Sequence, residues 1–432
     1  MKIKFNKSIL ILFVYLLIDL ISFASILPIL PSLVQSFSLR TNDNLYNVMS
    51  NFSDGFRNLI SAPNNNNNKW NIVLFGGLLG SSFSLCQFLC SPIVGALSDV
   101  FGRKSMLILT TTGMLISYSA WCLSENNFTL FFLSRIIGGV CKANIGVAIA
   151  VIGDLYGETN RNSGMAIIGI AFSLGFIIGP IVGVVAGTFF NVAMISTGLT
   201  LLNLIFISFF FTESLEKSKR DRNMSSKLSD IYQLINPISI FLYTPMKNLK
   251  HRDLQNARQL GLVYFTYLFV YSGMEFTLTF LTHLRFNYSS ADQGRLYLFL
   301  GLIMILFQGG IVRRLKSGRE KQMIIIGISA LIPGFILLGF SQSRFYFYIG
   351  LFLFAFASSC VVLCLTSLVS QCDNKKSPQQ GRLMGLLRSQ GCLARCLGPL
   401  FASLIFWICG PQLTYTIGAF ILLIPLAVIV FI

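Results

Sequence analysis

The sequence predicts an all-α membrane protein with twelve transmembrane helices in two parallel six-helix repeats. Three observations carry that prediction. Of the 432 residues, 54% are hydrophobic and only 11% charged, whereas a soluble protein carries about 25% charged residues. The apolar residues come in long continuous runs, each near the ~20 residues that cross a hydrocarbon core as a helix. The runs also fall six and six around a long polar segment, 212–259. Continuous rather than alternating apolarity excludes a membrane β-barrel.

The runs lie near 8–34, 71–95, 105–124, 129–152, 164–187, 191–211, 260–284, 293–312, 322–341, 345–369, 382–408 and 411–432. The first follows Lys2, Lys4 and Lys7, contains Asp19 and continues through Pro28 and Pro31. It is too long, and too charged, for a cleaved signal peptide. Between the first and second runs, 40–69 is a polar outer loop ending in the low-complexity tract Asn64–Asn68, expected to be disordered. Asn51-Phe52-Ser53 in that loop and Asn287-Tyr288-Ser289 in a later one make Asn51 and Asn287 glycosylation candidates. A third sequon, Asn127-Phe128-Thr129, sits too near the bilayer to be modified.

Domain organisation follows: 1–211 forms an N-terminal bundle, 212–259 a linker and 260–432 a C-terminal bundle. In the linker, Leu228, Ile231, Leu234, Ile235, Ile238 and Phe241 recur at helical spacing, which predicts a helix on the membrane surface that Pro237 interrupts. Aligning Met165 with Met384 also aligns Gly179-Pro180 with Gly398-Pro399. The fifth run thus echoes the eleventh in the same orientation, as parallel repeats require.

A net charge of +17 would point to nucleic acid in a soluble protein. Here its distribution says otherwise. Lys2, Lys4, Lys7, the 212–259 segment and Arg313, Arg314, Lys316, Arg319 and Lys321 concentrate the basic residues on one side. The positive-inside rule then places both termini in the cytoplasm. The ten Cys fall mostly within runs, in pairs four apart such as Cys86/Cys90, Cys360/Cys364 and Cys392/Cys396. That spacing suits helix packing, not a disulfide framework or a metal site.

Six ionisable residues lie inside the apolar runs: Asp19, Arg135, Lys142, Glu275, Arg388 and Arg395. A charge at membrane depth costs roughly 2.5–3.5 kcal/mol even on lenient insertion scales, so such residues mark a pathway or a partner. Arg135 and Arg388 lie near enough to run ends to snorkel toward headgroups. Glu275 lies near the outer surface if its run is displaced by a turn. Asp19, Lys142 and Arg395 are too deep for that, and their bland reading is structural ion pairing. Four cations against two acids favour an anionic solute. Asp19 and Glu275 are the carboxylates available for proton binding.

Further motifs sharpen the class. After the second run comes Gly95-Ala96-Leu97-Ser98-Asp99-Val100-Phe101-Gly102-Arg103-Lys104. Gly175, Gly179 and Gly183 recur every fourth residue in the fifth run, with Pro180 after Gly179. The stripe gives a flat face for close packing, and Pro180 permits bending. The fourth run carries Arg135-Ile136-Ile137-Gly138-Gly139, with Lys142 two turns beyond Arg135. The 95–104 stretch resembles the signature loop of the major facilitator superfamily. Leu17 to Phe23, Leu27 to Pro31, Arg135 to Gly139, Gly164 to Gly179, Gly261 to Phe286 and Arg388 to Pro399 resemble its tetracycline-transporter-like branch of drug/proton antiporters.

That resemblance implies a cytoplasmic gate of Gly95, Asp99, Gly102, Arg103 and Asp154, in which Arg103 pairs with Asp154. It implies that Asp19, Arg135, Lys142 and Glu275 come from cavity-lining helices and that Arg388 and Arg395 come from a flanking one. Arg314 replaces the matching acid in the second half, leaving its latch in doubt. The expected function is a secondary active transporter of an organic anion or amphipathic drug, working by alternating access and coupled to protons. A uniporter and a non-transporting receptor or scaffold are the alternatives. The expected partners are a small-molecule substrate, protons and the lipid bilayer, with no nucleic acid, for a chain acting as a monomer. No cofactor or metal is expected. With only two His and no nucleophile constellation or Walker loop, the chain is not expected to be an enzyme.

Overall fold

The computed structural model describes residues 7–40, 43–51, 71–155, 161–215, 236–244, 246, 251–312, 315, 318–372 and 380–432. Among them the regular secondary structure is helical, with no strand. The helices are α1 (Lys7–Ala24), α2 (Leu30–Arg40), α3 (Asn71–Phe101), α4 (Arg103–Cys122), α5 (Phe128–Cys141), α6 (Asn144–Leu155), α7 (Arg161–Ala186) and α8 (Phe189–Phe210). They continue with α9 (Pro237–Leu242), α10 (His251–Phe286), α11 (Ser290–Gly310), α12 (Glu320–Phe340), α13 (Arg344–Gln371), α14 (Gln380–Ile421) and α15 (Leu423–Phe431).

Among the described residues nine helical stretches are long and apolar enough to cross a membrane. One, Gly385–Phe431, holds two spans, because Gly410 turns the chain inside α14 with φ 78°. A positive φ there suits glycine, which has no Cβ to clash. α4 and α10 supply the other two spans, their apolar runs diluted by polar residues such as Thr110 to Thr112 and Glu275. The arrangement is the twelve-helix membrane fold.

The predicted first and fourth spans are each broken in mid-course. The first turns between Ala24 and Leu30, around Pro28, and the fourth at Lys142 and Ala143. Pro28 cannot donate to the helical ladder, and the flanking bonds Leu27 N–H to Ala24 O and Ile29 N–H to Ile26 O are the short-range bonds of turns.

Two compact units emerge. The first comprises Met1–Ile72, Leu85–Leu228 and Tyr288–Leu298. Its core gathers Leu12, Tyr15, Leu16, Leu20, Leu107, Val147, Val151, Ile152 and Phe211. The glycine stripe of α7 packs on the first span: a side chain at Gly175 would meet Leu20, one at Gly179 would meet Ala24 and Ile21, and one at Gly183 would meet Ser25 and Pro28. Pro180 lies inside α7, which runs through it without a break. Residues 44–51 are helical, within the polar outer loop expected over 40–69. Asp43 caps them, accepting from the Leu45 and Tyr46 amides, and its carboxylate also takes the Thr129 amide at 2.9 Å and the Thr129 hydroxyl at 2.7 Å. Burial pushes the Asp43 carboxyl up, but the Thr129, Tyr46 and Leu45 hydrogen bonds outweigh it and hold it below its ordinary value. The sequon at Asn127 serves structure, with Asn127 capping α5 through the Leu130 amide. Asn51 and Asn287 are exposed. Asn64–Asn68 lies outside the described residues.

The second unit comprises Val73–Ser84, Ser229–Asn287 and Phe299–Ile432. The small residues Gly76, Gly77 and Gly80 let the start of α3 sit directly against Phe280, Ser403 and Phe276. Arg285 donates to the Leu338, Gly339 and Ser341 carbonyls, placing a cation at the negative end of α12. In the linker, Pro237 occupies the first turn of α9, capped by Asn236, where its missing N–H costs nothing. Ile240 of α9 is fully buried, and the Tyr243 hydroxyl donates to Gln390 at 3.2 Å. The upstream part of the expected surface helix, Leu228 to Ile235, is outside the described residues, as is Arg314.

Candidate functional site

In the first unit, α1 carries Tyr15 and Asp19 one turn apart on a buried face. The break in the fourth span brings Lys142 and Asn144 to them. In an unbroken helix residues two apart point to nearly opposite sides. Lys142 instead closes α5, its N–H bonded to Gly138 O at 2.9 Å, and Asn144 opens α6. Both side chains therefore reach the same carboxylate. Lys142 Nζ lies 2.7 Å from Asp19 Oδ2, and the side chains are only 3% and 4% exposed. The ammonium also donates to the Asp19 carbonyl at 3.2 Å and faces the Phe23 ring at 4.9 Å, a cation–π contact. Gln87 Nε2 donates to the Lys142 carbonyl at 3.2 Å.

A hydrogen-bond chain extends from this pair. Asn144 Nδ2 donates to Asp19 Oδ2 and to the Tyr15 hydroxyl, each at 3.0 Å. The Tyr15 and Thr111 hydroxyls are 2.8 Å apart, and Thr111 donates to Leu107 O. Tyr15 thus accepts from Asn144 and donates to Thr111, since each hydroxyl has one proton. Asn203 adds a bond to the Tyr15 carbonyl at 3.0 Å. Arg135, further along the same span, is buried with its guanidinium 5.8 Å from the centre of the Trp121 ring. Trp121 in turn packs edge-on against Tyr118 at 4.7 Å.

The second unit holds the other three predicted charges. Glu275 lies on α10 and Arg388 and Arg395 on α14. Arg395 is close enough to act electrostatically on Glu275, and both arginines act on Tyr264 and Cys392. Among the described residues, none of the three forms an ion pair. Glu275 and Arg388 are half-buried and Arg395 is exposed. Tyr271, one turn before Glu275, donates to Ser358 at 2.8 Å.

The proposed gate residues cluster in the first unit. Arg103 bridges Asp99 at 2.6 Å and Asp154 at 3.0 Å, and it donates to Ser98 Oγ. Burial works against the Arg103 charge, but the Asp154 and Asp99 carboxylates outweigh it and raise its pKa above the ordinary value. Gly102 has φ 97°, a backbone that L side chains rarely adopt, and it has no side chain to cap α4. Glu213 supplies that cap: its two carboxylate oxygens take the Arg103 and Lys104 amides at 2.9 and 3.2 Å. An anion at a helix N-terminus satisfies orphan amides and the helix dipole together. Gly95 has open space where a side chain would project.

Sequence reasoning missed Tyr15, Asn144, Gln87 and Glu213. Tyr15 stands one turn before Asp19, a spacing that was readable. Asn144 and Gln87 were not, because their roles come from the break in the fourth span.

Residues 11–399 match the family model described as Major Facilitator Superfamily. The chain is 38% identical to mouse Major facilitator superfamily domain-containing protein 10, over 97% of this chain and 91% of that protein. It is 26% identical to the class B tetracycline resistance protein of Escherichia coli, over 93% and 89%. The crystal structure of the human organic anion transporter MFSD10 (TETRAN) superposes with TM-score 0.84 at 38% identity, covering 98% of this chain and 99% of that one. The chain belongs to the Major Facilitator Superfamily and is an integral multi-pass membrane transporter of small molecules.

Proposed function

We propose that the protein moves organic anions by alternating access and couples that movement to protons. The observation that carries the reading is the unequal treatment of charge: Asp19 and Lys142 neutralise one another at 2.7 Å, while Arg388 and Arg395 form no ion pair among the described residues. The paired carboxylate is the proton site. A proton on Asp19 would dissolve the pair, leaving Lys142 to seek another anion. The unpaired arginines are the anion site, with Tyr264 beside them and Glu275 close enough to compete for Arg395. The human relative's description as an organic anion transporter supports the substrate class, and the tetracycline resistance relatives agree with an amphipathic solute. Arg103, Asp154, Asp99 and Glu213 form the gate element on the basic side of the membrane, where both termini lie. The 1–211 and 260–432 bundles are its moving halves, and the chain acts as a monomer.

The test is uptake of a labelled organic anion into proteoliposomes with and without an imposed pH gradient. Gradient-driven accumulation is expected. Equal flux in both conditions would make the protein a uniporter, and transport of cations alone would refute the anion assignment.

A further inference from the structure

Asn144 is fully buried, and its Oδ1 has no hydrogen-bond partner among the described residues. Its Nδ2, by contrast, spends both protons, on Asp19 and on Tyr15. This asymmetry follows from the charge on Asp19. A carboxylate only accepts, so the amide must present its donor, and its acceptor is turned toward groups that cannot donate. A buried unpaired acceptor is costly and calls for a reason.

We infer that Asn144 is a protonation-sensing switch for Asp19, a positioning residue that serves both states of the carboxyl with opposite ends of one amide. When Asp19 takes a proton from water, it becomes a donor and loses its pull on Lys142. A half-turn of the Asn144 amide then presents Oδ1 to accept that new O–H, and the Tyr15 hydroxyl turns its one proton from Thr111 to the same Oδ1. The orphan passes from Oδ1 to Nδ2, one unpaired end replacing the other, so neither state is trapped. A Leu of similar shape would satisfy neither. The groups facing Asp19 define the switch: Tyr15 on its own helix, Lys142 and Asn144 from the broken fourth span, and Tyr118 of α4, which feels both Asp19 and Arg135. α7 packs Gly175 and Gly179 against this stretch of α1, with Ala171 in the same core. The inference rests on Asp19 being the proton site proposed above.

Infrared difference spectra between acidic and neutral pH test it in the intact protein labelled with isotopic asparagine. Expected is a carboxylic-acid band absent from Asp19→Asn, accompanied by a shift of an asparagine side-chain band that is also lost in Asp19→Asn and in Asn144→Leu. A carboxyl band with no asparagine shift would overturn the switch and leave the proton site standing. Absence of any Asp19 band would overturn both. In proteoliposomes, Asn144→Leu should lose at least tenfold in gradient-driven uptake while keeping substrate exchange at equal pH within about twofold. Equal losses in both assays, or none in either, would contradict the switch. Gradient-insensitive uptake by the unaltered protein would refute the coupling alone, because the asparagine band still decides the role of Asn144.

Discussion

In the first unit a buried acid and base meet at 2.7 Å within a chain of hydrogen bonds running through Asn144, Tyr15 and Thr111. In the second, Arg395 acts electrostatically on Glu275 with no ion pair between them among the described residues, and Arg388 stands two turns before Arg395 on α14. The first arrangement is electrically closed: it can change only if a proton or another ion enters. The second carries a surplus of positive charge, which the proposed function assigns to a bound anion. On that proposal one chain separates coupling from recognition, and the separation can be broken from either side.

The largest effect should come from breaking the closed pair. Removing one partner leaves a buried charge uncompensated, which costs about 3–5 kcal/mol. Asp19→Asn or Lys142→Met should therefore lower the thermal midpoint in detergent sharply, and the double variant should recover most of the loss while remaining uncoupled. The open cluster should respond differently. Arg388→Gln and Arg395→Gln each remove a charge-assisted contact worth about 1.5–3 kcal/mol. Anion affinity should fall roughly ten- to a hundredfold, with the thermal midpoint little changed.

Two smaller changes probe what holds the first unit's machinery in place. Glu213→Ala leaves the Arg103 and Lys104 amides uncapped and should cost about 1–2 kcal/mol, read as lower stability and faster amide exchange at the start of α4. Asp43→Asn should cost about 1 kcal/mol or less, seen as faster exchange in residues 44–51. Acid should mimic it. The hydrogen-bonded Asp43 carboxyl titrates below its ordinary value, so its contribution is complete above about pH 4. It is lost as pH falls through the lower folded value.

Which parts of this were readable from the chain follows a physical line. Span number came through because membrane depth punishes polarity, so long runs almost without charge stand out. The Arg103–Asp154 pairing was anticipated only through the family's loop. What stayed hidden depended on breaks and loops. Nothing in Cys141-Lys142-Ala143-Asn144 announces that the helix stops there, yet that stop aims Lys142 and Asn144 at one carboxylate. Glu213 looks like any solvated acid beyond a span, until Gly102 leaves a helix end without a cap. Pro237, expected to interrupt the linker helix, opens α9 among the described residues, where a proline's fixed φ suits the first turn.

The most direct test of the account measures anion affinity and pH-gradient dependence side by side, in proteoliposomes of the unaltered protein, Asp19→Asn and Arg395→Gln. The account predicts that Asp19→Asn still binds the anion but ignores the gradient, whereas Arg395→Gln binds at least tenfold more weakly and its residual flux still follows the gradient. If both variants lose affinity and gradient response in the same proportion, coupling and recognition are not divided between the two clusters, and the account is wrong.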